Sequence, residues 1–297
     1  MKTPIRYAGG KSKAYKIITE ILPKNIDTIV SPFIGGGSLE SRWSSELGIK
    51  VHGYDIFHAL VNFWNVLLDY SDALADKLFT LSPTKEVYKE IKEILIQWDY
   101  TQDMLSEWKT DYYKRNSIKL DSLTAASYYF HNHNLSYGPQ YLGWMSKIYE
   151  NETKWEKSIQ RIRDYKNPNL QVNEGSFEDV IADNPNTFLY LDPPYYLDKD
   201  SDNKMSKGLY PNSNIDVHHR GFDHEKLRDL LHNHKGGFIL SYNNCETIRE
   251  YYNDFDLSYP KWHYSYQTGE TRVGKSKIER GVTHSKKDSH EILVCKL

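Results

Sequence analysis

The chain has 297 residues, of which 26% are charged and 39% are hydrophobic, and its formal net charge is -2. This length suffices for one large domain or two, and the near balance of charge means that any nucleic-acid surface must be local. Cys245 and Cys295 are the two cysteines, too few for a disulfide framework or a zinc motif. Because no apolar run is long enough to span a membrane, the sequence predicts a soluble, cytoplasmic protein.

The first segment with chemical character is Tyr-Ala-Gly-Gly-Lys (7–11), ahead of a predicted helix that Ser12 would cap and Pro23 would end. It is not a P-loop, since Ile5 occupies the position of that motif's first glycine and no buried strand precedes it. Two interpretations remain. Backbone amides, a cation and an aromatic ring at a helix N-terminus suit a carboxylate or a phosphate, whereas the alternative is an ordinary surface turn.

Residues 27–40 predict a short apolar strand, a turn of three glycines (35–37) and a helix that begins at Ser38. Glycines at such a turn let a ligand approach the backbone closely at a helix N-terminus. The spacing differs from the G-x-G-x-x-G of dinucleotide-binding proteins. A second strand, residues 51–55, ends in Asp55, which can accept hydrogen bonds from ribose hydroxyls. Together these elements favour a ribose-containing cofactor over a purely structural strand–helix–strand unit.

The pattern changes between residues 56 and 166, where no run predicts a confident strand. Apolar residues recur there at helical spacing in three stretches, 59–68, 84–98 and 121–131. A mostly helical insert of about 110 residues inside an α/β pattern indicates a second subdomain. Two clusters of aromatic, Asn and His residues, 112–116 and 131–138, are either contacts for bases and phosphates or buried polar turns.

The α/β pattern then resumes and leads to a strand, residues 188–191, followed by Asp192, Pro193, Pro194, Tyr195 and Tyr196. Two prolines cannot continue a helix or donate to a sheet ladder, so the strand must end at Asp192. The Asp192 carboxylate and the Pro193 carbonyl form an acceptor pair for an amino group, with Tyr195 as a flat stacking surface. A strand followed by a simple proline turn is the alternative.

Two further buried strands are predicted at 238–242 and 291–295, with a helix that starts near Phe222 and ends at Gly236-Gly237. The loop 271–287 holds six cations against Glu279 alone. It is the one notable basic patch of the sequence, either a phosphate-backbone contact or a solvated loop. The histidines between 218 and 234 have no Cys or acid at metal-ligand spacing, so we expect no metal site.

Five segments occur in a fixed order, namely Tyr-Ala-Gly-Gly-Lys (7–11), Pro-Phe-Ile-Gly-Gly-Gly-Ser (32–38), Tyr-Asp (54–55), Gly-Ser-Phe (175–177) and Asp-Pro-Pro-Tyr (192–195). Together they resemble the Dam-type (alpha-group) family of S-adenosylmethionine-dependent DNA adenine-N6 methyltransferases. The resemblance covers residues 1–60 and 165–297. It implies a Rossmann-like α/β methyltransferase fold, with a catalytic domain of residues 1–56 and 166–297. The mostly helical insert, residues 57–165, would be a target-recognition domain.

The resemblance also implies a role for each segment. Asp55 would bind the ribose of S-adenosylmethionine and Phe177 would pack beside its adenine. The full set of implied cofactor contacts is Tyr7, Lys11, Phe33, Gly35, Gly37, Asp55, Phe177 and Asp192. A flipped-out adenine of double-stranded DNA would be held by the catalytic residues Asp192, Pro193, Pro194 and Tyr195. The DNA backbone would meet the cations Arg272, Lys275, Lys277 and Arg280, and no metal is required.

Two alternatives remain open. The acceptor pair suits any exocyclic amine, so cytosine-N4 methylation is possible, although such enzymes more often carry serine where this chain has Asp192. A non-catalytic DNA-binding protein on the same fold is the other alternative. The presence of Asp192, Tyr195, Lys11 and Asp55 argues against such a loss of catalysis.

Overall fold

A seven-stranded sheet organises the chain in a computed structural model, which describes residues 1–7, 9–102, 117–145, 147–196, 222–261 and 291–297. The strands are β1 (Thr28–Ser31), β2 (Lys50–Asp55), β3 (Leu170–Glu174), β4 (Phe188–Leu191), β5 (Phe238–Asn243), β6 (Asp256–Ser258) and β7 (Glu291–Lys296). Their order is β3-β2-β1-β4-β5-β7-β6. The strands β1 to β5 pair in parallel, and β7 runs antiparallel to β5 and β6. The sheet confirms the expected Rossmann-like α/β fold, and of the described strands the two edge strands, β3 and β6, were not predicted.

The described helices are α1 (Tyr15–Ile21), α2 (Glu40–Glu46), α3 (His58–Phe79), α4 (Lys85–Gln97), α5 (Asp99–Gln102), α6 (Ser122–Leu135), α7 (Glu152–Arg163), α8 (Phe177–Asp183), α9 (His224–Asn233) and α10 (Glu246–Tyr251). In five of them a side chain just before the helix accepts a hydrogen bond from a backbone amide of the first turn, as good N-caps do. These caps are Thr84, Asp121, Asn151, Ser176 and Asp223.

Two local predictions are wrong. The N-cap of α1 is Ala14 and no side chain caps this helix, because the turn after Lys11 delays its start beyond Ser12. The second error concerns the glycines after α9, which ends at Asn233 without a glycine cap. A Cβ on Gly236 would lie 2.6 Å from the Thr187 carbonyl oxygen. Because Gly236 has no side chain, the residues just before β5 can pass close to those just before β4.

The order of the strands reverses between β1 and β4. From β1 the chain proceeds to β2 and β3 on one side, whereas β4 and β5 lie on the other side. Open α/β sheets bind ligands beyond the carboxyl ends of their strands at such a switch point. The glycine turn (35–37) follows β1 and Asp192 follows β4. Topology thus brings two separately predicted segments to one place.

The segment between β2 and β3 is helical, as expected: within its described residues the only β pairing is two isolated bridges, Trp98 with Ile118 and Ser136 with Met145. Helix α3 packs on β2 and β3 as well as on α6 and α7. One apolar cluster accordingly includes Val51 of β2 together with residues of α3 and α6. The division at residues 57 and 165 stays a prediction.

The polar cluster at 131–138 falls mainly on the end of α6. His131, Asn132, His133 and Asn134 are all buried, which favours the interpretation as buried polar residues over that as exposed DNA contacts. The other cluster, 112–116, lies outside the described residues. No helix in the described ranges combines the length and the apolar character needed to cross a membrane.

Trp43 of α2 supports the strand that leads to Asp192. Its ring is fully buried against the edge of Tyr190 in β4 at a centroid distance of 5.0 Å, and its Nε1 donates to Thr19 Oγ1 at 2.9 Å. We expect Trp43→Ala to lower the free energy of unfolding by about 3 to 5 kcal/mol, since it leaves a large cavity.

Urea denaturation measures this loss. The matched control is Trp144→Ala, because Trp144 is 59% exposed and its removal should cost no more than about 1 kcal/mol. Similar losses in the two variants would contradict the assigned role of Trp43.

Candidate active site

Three side chains meet around a buried ammonium group, that of Lys11, beyond the end of β4. Lys11 Nζ donates to both carboxylate oxygens of Asp192, at 2.8 and 2.9 Å, and to the Tyr195 hydroxyl at 3.0 Å. It also lies 3.7 Å from Oε1 of Glu291, the first residue of β7. The Lys11 side chain is 2% exposed, whereas that of Asp192 is 23% exposed. One carboxylate therefore keeps an accessible surface while its counter-ion is hidden.

The segment after Asp192 is held in place from β5 and β7. The Tyr195 hydroxyl donates to Glu291 Oε1, and Ser241 Oγ donates to Glu291 Oε2 at 3.1 Å. The next residue is held by its backbone: Tyr196 N donates to Asn243 Oδ1 at 2.9 Å, and Asn243 Nδ2 donates to the Tyr196 carbonyl at 3.0 Å. Sequence reasoning missed Glu291, although an acid at the start of a strand predicted to be buried was a signal.

The charges in this cluster depend on one another. Burial lowers the pKa of Lys11, but the attraction of Asp192 and then of Glu291 outweighs it, so the pKa is raised and the ammonium persists. Burial raises the pKa of Asp192, and Lys11 opposes that rise. The pKa of Glu291 is raised to about 7 by burial, again against the attraction of Lys11. The ammonium thus favours the ionised form of both carboxyl groups.

A second group of predicted residues surrounds the glycine turn. Asp55, at the end of β2, accepts a hydrogen bond from Gly35 N at 3.1 Å and another from Phe57 N at 3.0 Å. Burial raises the pKa of Asp55 to about 6, and these amide bonds oppose the rise. Gly35 and Gly37 have φ of 46° and 55°, a region that favours glycine. The ring of Tyr7 lies against Gly35, where a Cβ would come within 3.0 Å of Tyr7 Cε1.

An aromatic cluster adjoins this turn. The rings of Phe33 and Phe177 are stacked at 5.7 Å, and Phe222 packs on both, at 5.8 and 5.0 Å. Phe177 is there because it opens α8 directly after β3, with Ser176 as the N-cap. Sequence reasoning did not identify Phe222, whose ring comes from the residues just before α9.

The N-terminal segment connects the two groups. The backbone amide of Lys11 donates to Ser38 Oγ at 2.9 Å beside the glycine turn, while its ammonium contacts Asp192. A cleft of about 330 Å³ opens next to this segment, and its lining includes Arg6, Tyr7, Gly10, Gly36, Ser38 and Pro139. The predicted catalytic and cofactor-contact residues thus lie together. The predicted DNA contacts, Arg272, Lys275, Lys277 and Arg280, lie outside the described residues.

In the described ranges no group of three or more His, Cys, Asp or Glu side chains is placed to hold a metal ion. The described histidines between residues 222 and 234 have other partners. His232 Nε2 lies 3.1 Å from Asp254, His234 Nε2 lies 2.9 Å from the Thr187 carbonyl, and His224 bonds to the Tyr242 hydroxyl.

Comparison with known proteins gives a family match and three similar curated proteins. The model of the D12 class N6 adenine-specific DNA methyltransferases matches residues 7–266. Modification methylase StsI of Streptococcus sanguinis is 23% identical over 306 residues, which cover 99% of this chain and 42% of the relative. Type II methyltransferase M.FokI of Planomicrobium okeanokoites is 24% identical, with 93% and 42% covered. Type II methyltransferase M1.LlaDCHI of Lactococcus lactis subsp. cremoris is 24% identical, with 85% and 84% covered. The chain spans less than half the length of the first two relatives.

Glu40 gives the stability of the protein a measurable pH dependence. This side chain is buried at the start of α2, where it accepts from Ser31 Oγ at 2.9 Å and from Leu39 N at 3.1 Å. Burial raises the pKa of Glu40 from 4.5 to about 7. The folded state therefore binds this proton more tightly than the unfolded state does, and stability falls as pH rises through that interval.

We expect Glu40→Gln to be more stable relative to the wild type at pH 8 than at pH 5. The difference should be on the order of 2 to 3 kcal/mol, because one pKa unit corresponds to about 1.4 kcal/mol. Urea denaturation at the two pH values measures it. Glu20→Gln, in an exposed part of α1, is the control. An equal effect of Glu40→Gln at both pH values would contradict the burial of an ionisable group.

Proposed function

Because the chain belongs to the D12 class N6 adenine-specific DNA methyltransferase family, we propose that it transfers a methyl group from S-adenosylmethionine to N6 of an adenine in double-stranded DNA. One observation carries the proposal: Lys11 holds the partly exposed Asp192 carboxylate beyond β4, at the switch point of the sheet. This is where an open α/β sheet binds its ligands, and the carboxylate is an acceptor suited to an amino group.

Asp192 has a definite chemical task in this proposal. An exocyclic amine is a poor nucleophile because its lone pair is delocalised into the ring. Hydrogen bonds from that amine to the Asp192 carboxylate and the Pro193 carbonyl favour a more tetrahedral nitrogen, whose lone pair can attack. Only the ionised carboxylate is purely an acceptor, and the ammonium of Lys11 favours that form. Positioning and electrostatics then carry most of the catalysis.

The residues around the glycine turn fit the proposed cofactor. Each carboxylate oxygen of Asp55 accepts one amide bond and retains capacity for a ribose hydroxyl. Phe33 and Phe177 form an apolar, flat surface suited to a purine, and Tyr7 lies against the turn on the side of the cleft. When bound, S-adenosylmethionine supplies an electrophilic methyl group on its sulfonium. The backbone of the turn and Asp55 would hold it in place.

DNA must present its adenine outside the double helix, since the amine of a paired base is not reachable. Tyr195 is the proposed platform for the flipped base. The residue as a whole is 6% exposed and its hydroxyl contacts Lys11 and Glu291, so the ring is held in one orientation. The basic loop with Arg272, Lys275, Lys277 and Arg280 is our candidate contact for the phosphate backbone. We assign target recognition to the helical insert, residues 57–165.

We also propose that the protein acts as a modification methyltransferase of a type II system. The relative StsI is named a modification methylase, and the other two relatives are named type II methyltransferases. Such an enzyme acts where the DNA is, in the cytoplasm of a bacterium. The sequence that it recognises is set by contacts of the insert and is open to direct mapping on methylated DNA.

Analysis of nucleosides tests the activity. The protein is incubated with methyl-labelled S-adenosylmethionine and duplex DNA of mixed sequence, and the DNA is then digested to nucleosides. We expect label in N6-methyladenine. Label in N4-methylcytosine instead, in RNA alone, or in no nucleoside of any duplex would overturn the proposal.

Asp192→Asn tests the acceptor role. The amide presents a donor as well as an acceptor and carries no charge, so we expect methyl transfer to fall by at least about 100-fold. Cofactor affinity, measured by calorimetry, should change far less. Lys11 keeps Glu291 as a counter-ion in this variant, so the fold should persist. Asp229→Asn alters an exposed carboxylate of α9 and should retain wild-type activity. Full activity in Asp192→Asn would refute the role.

A further inference from the structure

A carboxylate on β7 has all its described contacts within the candidate active site. Glu291 is the first residue of this strand and is the register partner of Asn243, the last residue of β5. Its Oε1 accepts from the Tyr195 hydroxyl and lies 3.7 Å from Lys11 Nζ, while its Oε2 accepts from Ser241 Oγ. The side chain of Glu291 is fully buried. It thus touches Lys11, which holds Asp192, as well as Tyr195 and Ser241, without being exposed to a ligand itself.

The burial of this charge is hard to explain by stability alone. A buried carboxylate loses its hydration, and well-packed apolar side chains often stabilise a protein as much as or more than a buried ion pair. The following four residues of β7, Ile292 to Cys295, are indeed apolar and buried. Among the buried residues of β7, the polar side chain therefore lies at the end that faces Lys11 and Tyr195, whereas Lys296 at the other end is only partly buried. This placement points to the site and not to the core.

The position of the Tyr195 ring depends on Glu291. The backbone of the next residue, Tyr196, is fixed by two hydrogen bonds to Asn243. With the backbone fixed, the remaining freedom of Tyr195 is the rotation of its side chain, and the hydroxyl bonds to Lys11 and Glu291 restrict it. If the acceptor on Glu291 were removed, the hydroxyl would keep its bond to Lys11 but lose its bond to Glu291.

We propose that Glu291 is a positioning residue for methyl transfer, which sets the Tyr195 ring and the Lys11 ammonium relative to Asp192. This inference rests on the proposed function, since it assigns a further residue to the same site. Glu291 acts through its neighbours, and Asp192 remains the group that meets the substrate amine.

The experiment compares single-turnover methylation of duplex DNA by the wild type and by four variants of the full chain. Glu291→Gln keeps the volume of the side chain but removes the charge, so the charge-assisted bond from the Tyr195 hydroxyl is lost. Tyr195→Phe removes only the hydroxyl. The double variant combines the two changes. Cys295→Ala is the matched control, because Cys295 is a buried residue at the opposite end of β7, paired with Ile239. Affinity for S-adenosylmethionine and the urea midpoint are measured for each protein.

We expect Glu291→Gln and Tyr195→Phe each to slow the single-turnover rate by between about 10- and 100-fold, the cost of a small misplacement at a reacting centre. Cofactor affinity should stay within about threefold of the wild type. The double variant should be little slower than the slower single variant, because both changes remove one interaction. Cys295→Ala should not alter the rate.

Four outcomes would overturn the inference. A wild-type rate in Glu291→Gln, or slowing that is fully additive with Tyr195→Phe, would do so while leaving the proposed function intact. Slowing that follows the loss of stability, and that Cys295→Ala reproduces, would assign Glu291 a structural role only. Absence of N6-methyladenine with the wild-type protein would overturn the proposed function itself, and this inference with it.

Discussion

The buried ammonium of Lys11 is the interaction on which the rest of the site depends. A buried charge is tolerated only with counter-ions and hydrogen-bond partners, and Lys11 obtains them from Asp192, Tyr195 and Glu291. These partners come from the end of β4 and the start of β7, whereas Lys11 precedes the first helix. One side chain therefore ties the N-terminal segment to two strands of the sheet. In doing so it places Tyr7, four residues earlier, against the glycine turn.

The sheet explains why these groups meet. Parallel strands end at the same edge, and the reversal of strand order between β1 and β4 leaves a crevice between the glycine turn and Asp192. Asp55 enters the same edge from β2 and binds the turn directly through the amide of Gly35. The antiparallel β7 adds what parallel strands alone would not supply: its first residue lies beside the last residue of β5. The Glu291 carboxylate at this position reaches Tyr195 and Lys11.

Much of this arrangement could be predicted because its determinants are local. The two prolines fix the end of β4. The three glycines (35–37) mark the turn after β1, and Asp55 marks the end of β2. Contacts between distant residues could not be predicted. Lys11 and Asp192 are 181 positions apart, and a lysine after two glycines has no local feature that indicates burial. Glu291 was read as the edge of an apolar strand. The predictions for Ser12 and Gly236 are wrong for a related reason, since neighbouring chain segments, and not local preference, set the roles of these residues.

The central claim is that Lys11 is the counter-ion of the partly exposed Asp192 and of the buried Glu291, and the most direct test is the stability of Lys11→Met at two pH values. Methionine fills a similar volume and leaves Asp192 and Glu291 without their counter-ion. The folded state would then bind protons more tightly than the unfolded state, so stability should fall as pH rises. Urea denaturation should show a loss of about 3 to 5 kcal/mol at pH 8 and a clearly smaller loss at pH 5. An equal loss at both pH values would contradict the account.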